Sequence, residues 1–134
     1  MEKYKTGGSG KQFIRGEEFE GKGLKLKVEG IETITANEGY GATEIDYLVK
    51  EGILKPGEMF RYIFTEETED GDVTRFFDSK SAVFFIAMKD CDPKRGDIVV
   101  IKRVGEKKNT RYFIKKVMEG YNNDDDIDLE EIPI

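Results

Sequence analysis

The chain has 134 residues, of which 37% are hydrophobic and 37% are charged, so it can form one small core beneath a strongly solvated surface. A single cysteine, Cys91, excludes an intramolecular disulfide, and the absence of histidine removes the commonest metal ligand and the usual general base. No apolar run is long enough to cross a bilayer, and Met1 to Lys5 lack the apolar stretch of a secretory signal. We therefore expect a single-domain, soluble, cytoplasmic protein.

The net charge of −6 is distributed unevenly along the chain. Residues 1–120 contain all 22 lysines and arginines and 22 of the 28 acids, so this part is neutral, whereas residues 121–134 contain the other six acids and no base. Within the neutral part, residues 94–118 hold nine bases and two acids. A polyanion is therefore able to bind this region despite the negative total charge.

The N-terminal residues predict a flexible arm followed by a short plug. Gly7-Gly8-Ser9-Gly10 cannot sustain a helix or a strand, so residues 1–12 are predicted to be an unstructured arm. Phe13, Ile14 and Phe19 are apolar points among glutamates, typical of a short turn or helix that closes the end of a core.

Alternation predicts the first strand over residues 23–34. Leu24, Leu26 and Val28 alternate with charged residues, which is the period of a half-buried strand. Gly30 inside this strand indicates a bulge or a sharp bend. The glycine-rich stretch that follows, up to residue 55, is predicted to be an elaborated loop, although its residues 45–49 also alternate as in an extra edge strand.

Turn residues delimit the remaining elements. Pro56-Gly57 and Asp70-Gly71 predict turns before and within a hairpin of two strands. Asp78 or Ser79 is predicted to cap a helix that Asp92-Pro93 ends. Two further strands are joined by a polar loop. The four predicted strands after the first cover residues 59–66, 73–78, 97–104 and 110–118.

The predicted order, β-β-β-α-β-β over residues 13–120, is that of the OB-fold, a five-stranded barrel that binds oligonucleotides and oligosaccharides. Together with the basic, aromatic last hairpin and the acidic end, it resembles the single-stranded DNA-binding proteins of bacteriophages and viruses. The end of the chain is similar to the bacterial family of these proteins, which closes a disordered acidic segment with a short apolar tip, typically Asp-Asp-Asp-Ile-Pro-Phe. Asp124-Asp125-Asp126-Ile127 matches the acidic half and Ile132-Pro133-Ile134 the tip, with intervening residues and an isoleucine in place of the final phenylalanine.

Single-stranded nucleic acid is bound by aromatic rings that stack on bases within a basic groove. Both residue types are interleaved here, although the same rings would also suit a core and the same charges a solvated surface. Phe60 and Phe64 in particular are predicted to be structural. The predicted nucleic-acid-binding residues are Lys25, Lys27, Arg61, Tyr62, Arg75, Phe77, Lys102, Arg103, Lys107, Lys108, Arg111 and Tyr112.

The acidic tail, residues 121–134, is predicted to be disordered and to bind partner proteins. A tail that served only solubility would not need apolar residues, whereas a docking peptide needs apolar anchors among acids that steer it to a basic pocket. A second predicted role is intramolecular, in which the tail competes with nucleic acid for the basic region of residues 94–118. The two roles can coexist. The predicted partner-binding residues are Asp124, Asp125, Asp126, Leu129, Ile132, Pro133 and Ile134.

Catalysis is not expected. The acids Glu66-Glu67, Asp70 and Asp72 crowd a predicted turn, where acids are ordinary, and no histidine can activate Cys91. No metal or other cofactor is predicted. The resemblance implies binding of single-stranded DNA with little sequence specificity during replication, recombination or repair, in the host cytoplasm if the protein is viral, with recruitment of replication or recombination proteins by the tail. The alternatives are an RNA-binding OB domain and a structural protein-protein adaptor.

Overall fold

The computed structural model describes residues 12–106 and 109–118. This part of the chain is mostly β, with five strands, a short 3₁₀ helix at Gly16–Phe19 and two α-helices. The strands are β1 (Leu24–Thr35), β2 (Glu58–Thr68), β3 (Gly71–Ser79), β4 (Ile98–Val104) and β5 (Arg111–Val117), and the α-helices are α1 (Tyr47–Lys50) and α2 (Ala82–Cys91).

The five strands form one antiparallel sheet in the order β3-β2-β1-β4-β5. β1 holds the sheet together because residues 24–27 pair with β4 and residues 27–35 pair with β2. The register of β1 against β2 shifts between Val28 and Gly30, which confirms the predicted irregularity. A bulge bends its strand and increases the local twist, so one strand can serve both halves of the sheet.

The edge strands β3 and β5 approach each other without pairing. Phe77 of β3 and Tyr112 of β5 have ring centroids 6.5 Å apart, yet no ladder joins the two strands among the described residues. We call this gap the seam. Residues 12–20 lie along it, and the main-chain N–H of Ile14 donates to the carbonyl oxygen of Phe76 at 2.7 Å.

Phe19 fills the seam from the 3₁₀ helix. Its side chain is fully buried, and its ring centroid lies 5.1 Å from that of Phe77 and 6.1 Å from that of Tyr112. Glu18, beside it, receives two hydrogen bonds of 2.9 Å from Arg75 of β3. The predicted plug at the end of the core is therefore confirmed, and it covers the gap between the two edge strands.

The core is rich in aromatic residues and lies between the inner side of the sheet and α2. Phe60, Tyr62 and Phe64 point inward from β2 and are all buried, which confirms the structural assignment of Phe60 and Phe64. Phe84 of α2 is fully buried and packs edge-on against Tyr62 at 4.7 Å between ring centroids. One face of β2 and one face of the helix thus share the same set of rings.

The boundaries of α2 and the β1–β2 connection differ from the predictions. Ser81 caps α2, accepting a hydrogen bond from the main-chain N–H of Phe84 at 3.2 Å, because β3 continues through the predicted cap positions to Ser79. The connection forms the helical turn α1 where alternation allowed an edge strand, since Leu48 is buried and anchors the turn.

None of the helices in the described part of the chain is both long and apolar enough to cross a membrane.

Candidate nucleic-acid interface

The strand register brings cations together on the outer side of β1, β4 and β5. Directly opposed residues of an antiparallel pair project to the same side of the sheet. Lys25 and Lys27 oppose Val100 and Ile98, and Lys102 opposes Phe113, so these six side chains share the outer side. We call this surface the basic face, and its cations are Lys25, Lys27, Lys102, Arg111 and Lys115.

An apolar strip runs between these cations. Val100 and Phe113 are buried, with 0% and 6% of their surface exposed, and form a small cluster with Val104 and Val117 that is separate from the main core. Lysine and arginine stems can lie along such a strip while their charges remain in water. Because β4 and β5 contain no acid, the positive charge of the face is not offset within these strands.

Two of the cations are well placed to meet a ligand. Lys27 of β1 and Arg111 of β5 are exposed, whereas Lys25, Lys102 and Lys115 are half-buried. Surface cations with low-dielectric walls between them concentrate polyanions from solution. The four predicted residues Lys25, Lys27, Lys102 and Arg111 therefore lie on one surface, and Lys115 joins them.

Arg103, by contrast, points to the other side of β4. Its Nη1 lies 3.6 Å from Glu20, and its guanidinium packs so closely on Gly16 that an added Cβ there would be 2.6 Å from Nη1. Its Nε is buried and makes no hydrogen bond to any described residue. Arg103 therefore packs against residues 16–20 on the side of β4 opposite Lys102, and its predicted place on the nucleic-acid-binding surface is corrected.

Arg75 is buried at the other side of the seam. Only 7% of its surface is exposed, and it forms ion pairs with Glu18 and Glu66. Burial raises the pKa of Glu18, but hydrogen bonds from the Arg15 main chain and from Arg75 outweigh this and lower the pKa below its usual value. A cation held by two carboxylates in the protein interior has little capacity left for phosphate, so the prediction for Arg75 is corrected to a structural role.

Arg61 lies on the outer side of β2 and is also engaged. It donates two hydrogen bonds to Asp78, of 2.8 and 2.9 Å. Its guanidinium also lies near two rings that contact each other, 5.3 Å from the centroid of Phe13 and 4.7 Å from that of Phe76. These cation–π contacts help to hold residue 13 against β3.

The aromatic residues predicted to stack on bases are placed differently from expectation. Tyr62 and Phe77 have 1% and 7% of their surface exposed, so their rings are part of the core and the prediction is corrected. Tyr112 is half-buried, packs edge-on against Phe84 at 4.9 Å, and has a pKa raised by burial. Alternation correctly placed Tyr62 beside Phe60 and Phe64, and burial of that whole face removes it from solvent.

Two exposed rings of the β1–β2 connection are not among the predicted nucleic-acid-binding residues. Tyr40 is 69% exposed and Tyr47 is 50% exposed. A signal was present, because Tyr40 stands between Gly39 and Gly41, where a local core is hard to form. These rings are available to a ligand at the opposite end of β1 from Lys25 and Lys27.

The remaining predicted residues lie outside the described part of the chain. These are Lys107, Lys108 and the predicted partner-binding residues Asp124, Asp125, Asp126, Leu129, Ile132, Pro133 and Ile134. Within residues 12–106 and 109–118, no three aspartate, glutamate or cysteine side chains are grouped closely enough to hold a metal ion.

Comparison of the chain with protein-family models, with curated proteins and with solved structures finds no match.

Proposed function

We propose that this protein binds single-stranded DNA without sequence specificity and without catalysis, and that the basic face contacts the phosphates. The observation that carries the proposal is that five cations converge on the outer side of β1, β4 and β5. Of these strands, β4 and β5 contain no acid. Binding of this kind is dominated by phosphate neutralisation and release of counterions, which requires clustered cations and no base-specific contacts.

The fold we propose is a partly open OB-fold barrel. In support, the neighbours of β1 are β2 and β4, the helix α2 lies between β3 and β4 in the chain, and β3 and β5 approach at the seam. OB-folds bind oligonucleotides on the face of strands 2 and 3 together with the β1–β2 and β4–β5 loops. Of these elements, the two loops adjoin the features described above. In this chain the cations of the β4–β5 hairpin and the exposed tyrosines of the β1–β2 connection would serve those two regions.

The two regions have different chemistry. Thr35 at the end of β1 lies eight residues after Lys27, at most about 26 Å away for an extended strand, so a single nucleic-acid strand can reach both. The connection contains the acids Glu38, Glu44, Asp46 and Glu51 and the bases Lys50 and Lys55. Tyr40 and Tyr47 are therefore proposed to contact bases, while the phosphates follow the basic face.

A titration with oligo-dT tests the DNA-binding proposal. We expect fluorescence-detected binding at low salt, and a logarithm of the binding constant that falls linearly with the logarithm of salt concentration, by about 0.7 for each neutralised phosphate. Competition with a matched RNA strand distinguishes DNA from RNA as the preferred ligand. Absence of binding to either strand at low salt would contradict the proposal and favour a protein-protein adaptor.

The acidic tail is proposed to recruit replication or recombination proteins through its apolar tip. Its six acids and the residues Leu129, Ile132 and Ile134 support a docking peptide that electrostatic attraction brings to a basic pocket. Deletion of residues 122–134 is expected to leave oligo-dT affinity unchanged or higher and to abolish co-purification of such partners. Weaker DNA binding after the deletion would show that the tail contributes to the DNA site instead.

A further inference from the structure

A second candidate site is a cleft between β1 and the C-terminal end of α2. The cleft has a volume of about 380 Å³ and lies where β1 changes partners at its bulge. This volume falls within the range of roughly 300–1,000 Å³ that is usual for small-molecule sites. Ile31, Met88 and Pro93 contribute apolar walls, and Ile31 is 49% exposed, so the cleft is open to solvent.

The side chain of Tyr62 contributes to the wall of the cleft from the core side. Its hydroxyl is buried behind this wall, so Tyr62 presents the cleft with an aromatic surface. Such a surface suits an occupant with a flat apolar face.

Cations stand at the mouth of the cleft. Lys89 of α2 is exposed, and the Arg95 side chain is 83% exposed, with its Nε 3.7 Å from Glu29. Asp92 also lines the cleft, but Lys94 donates a hydrogen bond to its carboxylate at 3.0 Å and offsets its charge. The mouth therefore suits an anionic group, and guanidinium and ammonium donors bind phosphate well.

The cleft adjoins the end of the basic face. Val28, which follows Lys27, holds the turn that carries Arg95: its main-chain N–H donates to Asp97 at 2.8 Å and its carbonyl accepts from Gly96 at 2.7 Å. The turn that carries Arg95 is thus bonded to the residue that follows Lys27 in β1.

We propose that the cleft takes one nucleotide of the bound strand, with its base between the apolar walls and its phosphate at Lys89 and Arg95. This inference rests on the proposed function. A nucleobase has a flat apolar surface and its phosphate supplies the anion, so the apolar walls and the cationic mouth of the cleft are used together.

The test is an NMR titration of the full chain with thymidine 5′-monophosphate, with thymidine and inorganic phosphate as separate probes. We expect the amide signals of Ile31, Lys89 and Arg95 to shift, and the monophosphate to bind at least about tenfold more tightly than either part, since only it uses both the walls and the mouth. Shifts confined to the basic face, or equal binding of the three probes, would overturn the proposal.

Three variants complete the test. Ile31→Glu places a carboxylate on the wall of the cleft and is expected to weaken monophosphate binding by at least about tenfold. Val83→Glu, at a residue of α2 that is 46% exposed and away from the cleft, is the matched control and should bind as the natural chain does. Lys89→Gln with Arg95→Gln alters only the mouth and should weaken binding in the same direction.

The outcomes separate this proposal from the one on which it rests. If oligo-dT binds but Ile31→Glu and Val83→Glu bind the monophosphate equally, the cleft is not a nucleotide site and the basic face alone accounts for DNA binding. If the natural chain does not bind oligo-dT, the proposed function itself fails. A fall in affinity with Ile31→Glu and with the mouth variant, and none with the control, supports the cleft.

Discussion

Replacing Phe19 by alanine is expected to lower the free energy of unfolding by about 3–5 kcal/mol, the usual cost of truncating a fully buried phenylalanine. The reason is specific to this fold. Phe19 occupies the seam between β3 and β5, where no strand pairing compensates for a lost side chain, and it contacts Phe77, Phe84 and Tyr112. Urea denaturation followed by circular dichroism measures the change.

Phe13→Ala is the matched control, because it removes the same side chain from the same N-terminal segment. Phe13 is 42% exposed and contacts Phe76 and Arg61 on the outer side of the sheet, so its truncation should cost only about 1 kcal/mol, the scale of an exposed aromatic and cation–π contact. Equal losses for the two variants would mean that the plug does not hold the seam together.

Reversing the charge of the two exposed cations of the basic face is expected to have the largest effect on DNA binding. Lys27→Glu combined with Arg111→Glu should weaken oligo-dT binding at low salt by at least about tenfold, because each hydrogen bond to a charged group contributes roughly 1.5–3 kcal/mol. The salt dependence should also become shallower by about 1.4, for two lost phosphate contacts on a single strand. Both side chains are exposed, so the fold should tolerate the change.

The control for charge is Arg15→Glu combined with Lys116→Glu. Both residues are exposed and lie off the basic face, since Arg15 precedes the 3₁₀ helix and Lys116 opposes Val99 on the other side of β5. Their reversal alters the net charge by the same amount. Their variant should keep the salt dependence of the natural chain and lose little affinity. If both double variants lose affinity equally, the overall charge governs binding and the basic face is not the site.

Two arginines show that the plug is held by charge as well as by rings. Arg75 pairs with Glu18 and Glu66, and Arg103 lies 3.6 Å from Glu20, so glutamates of the plug face one cation on β3 and another on β4. A carboxylate beside a buried arginine avoids the penalty of an uncompensated charge. The acids that accompany Phe13, Ile14 and Phe19 in the sequence therefore have a structural role, because they form ion pairs with arginines of the sheet.

Local patterns in the sequence were sufficient to predict several elements of the fold. Alternation at Leu24, Leu26 and Val28 predicted β1, Gly30 its irregularity, and Asp70-Gly71 the turn between β2 and β3, where Gly71 has a φ of 112° that favours glycine. Phe19 among glutamates predicted the plug. These signals depend on main-chain conformation and on neighbours within a few residues, which is why they are readable without the fold.

Which side of each strand is buried, and which cations lie together, depends on contacts between distant parts of the chain. Lys102 and Arg103 are adjacent and equally basic, but the register of β4 against β1 and β5 places Lys102 on the basic face and Arg103 against the plug. The rings of Tyr62 and Phe77 were predicted to stack on bases, yet α2 and Phe19 cover them. Register and packing partners are set by residues distant in the chain, and no local pattern contains them.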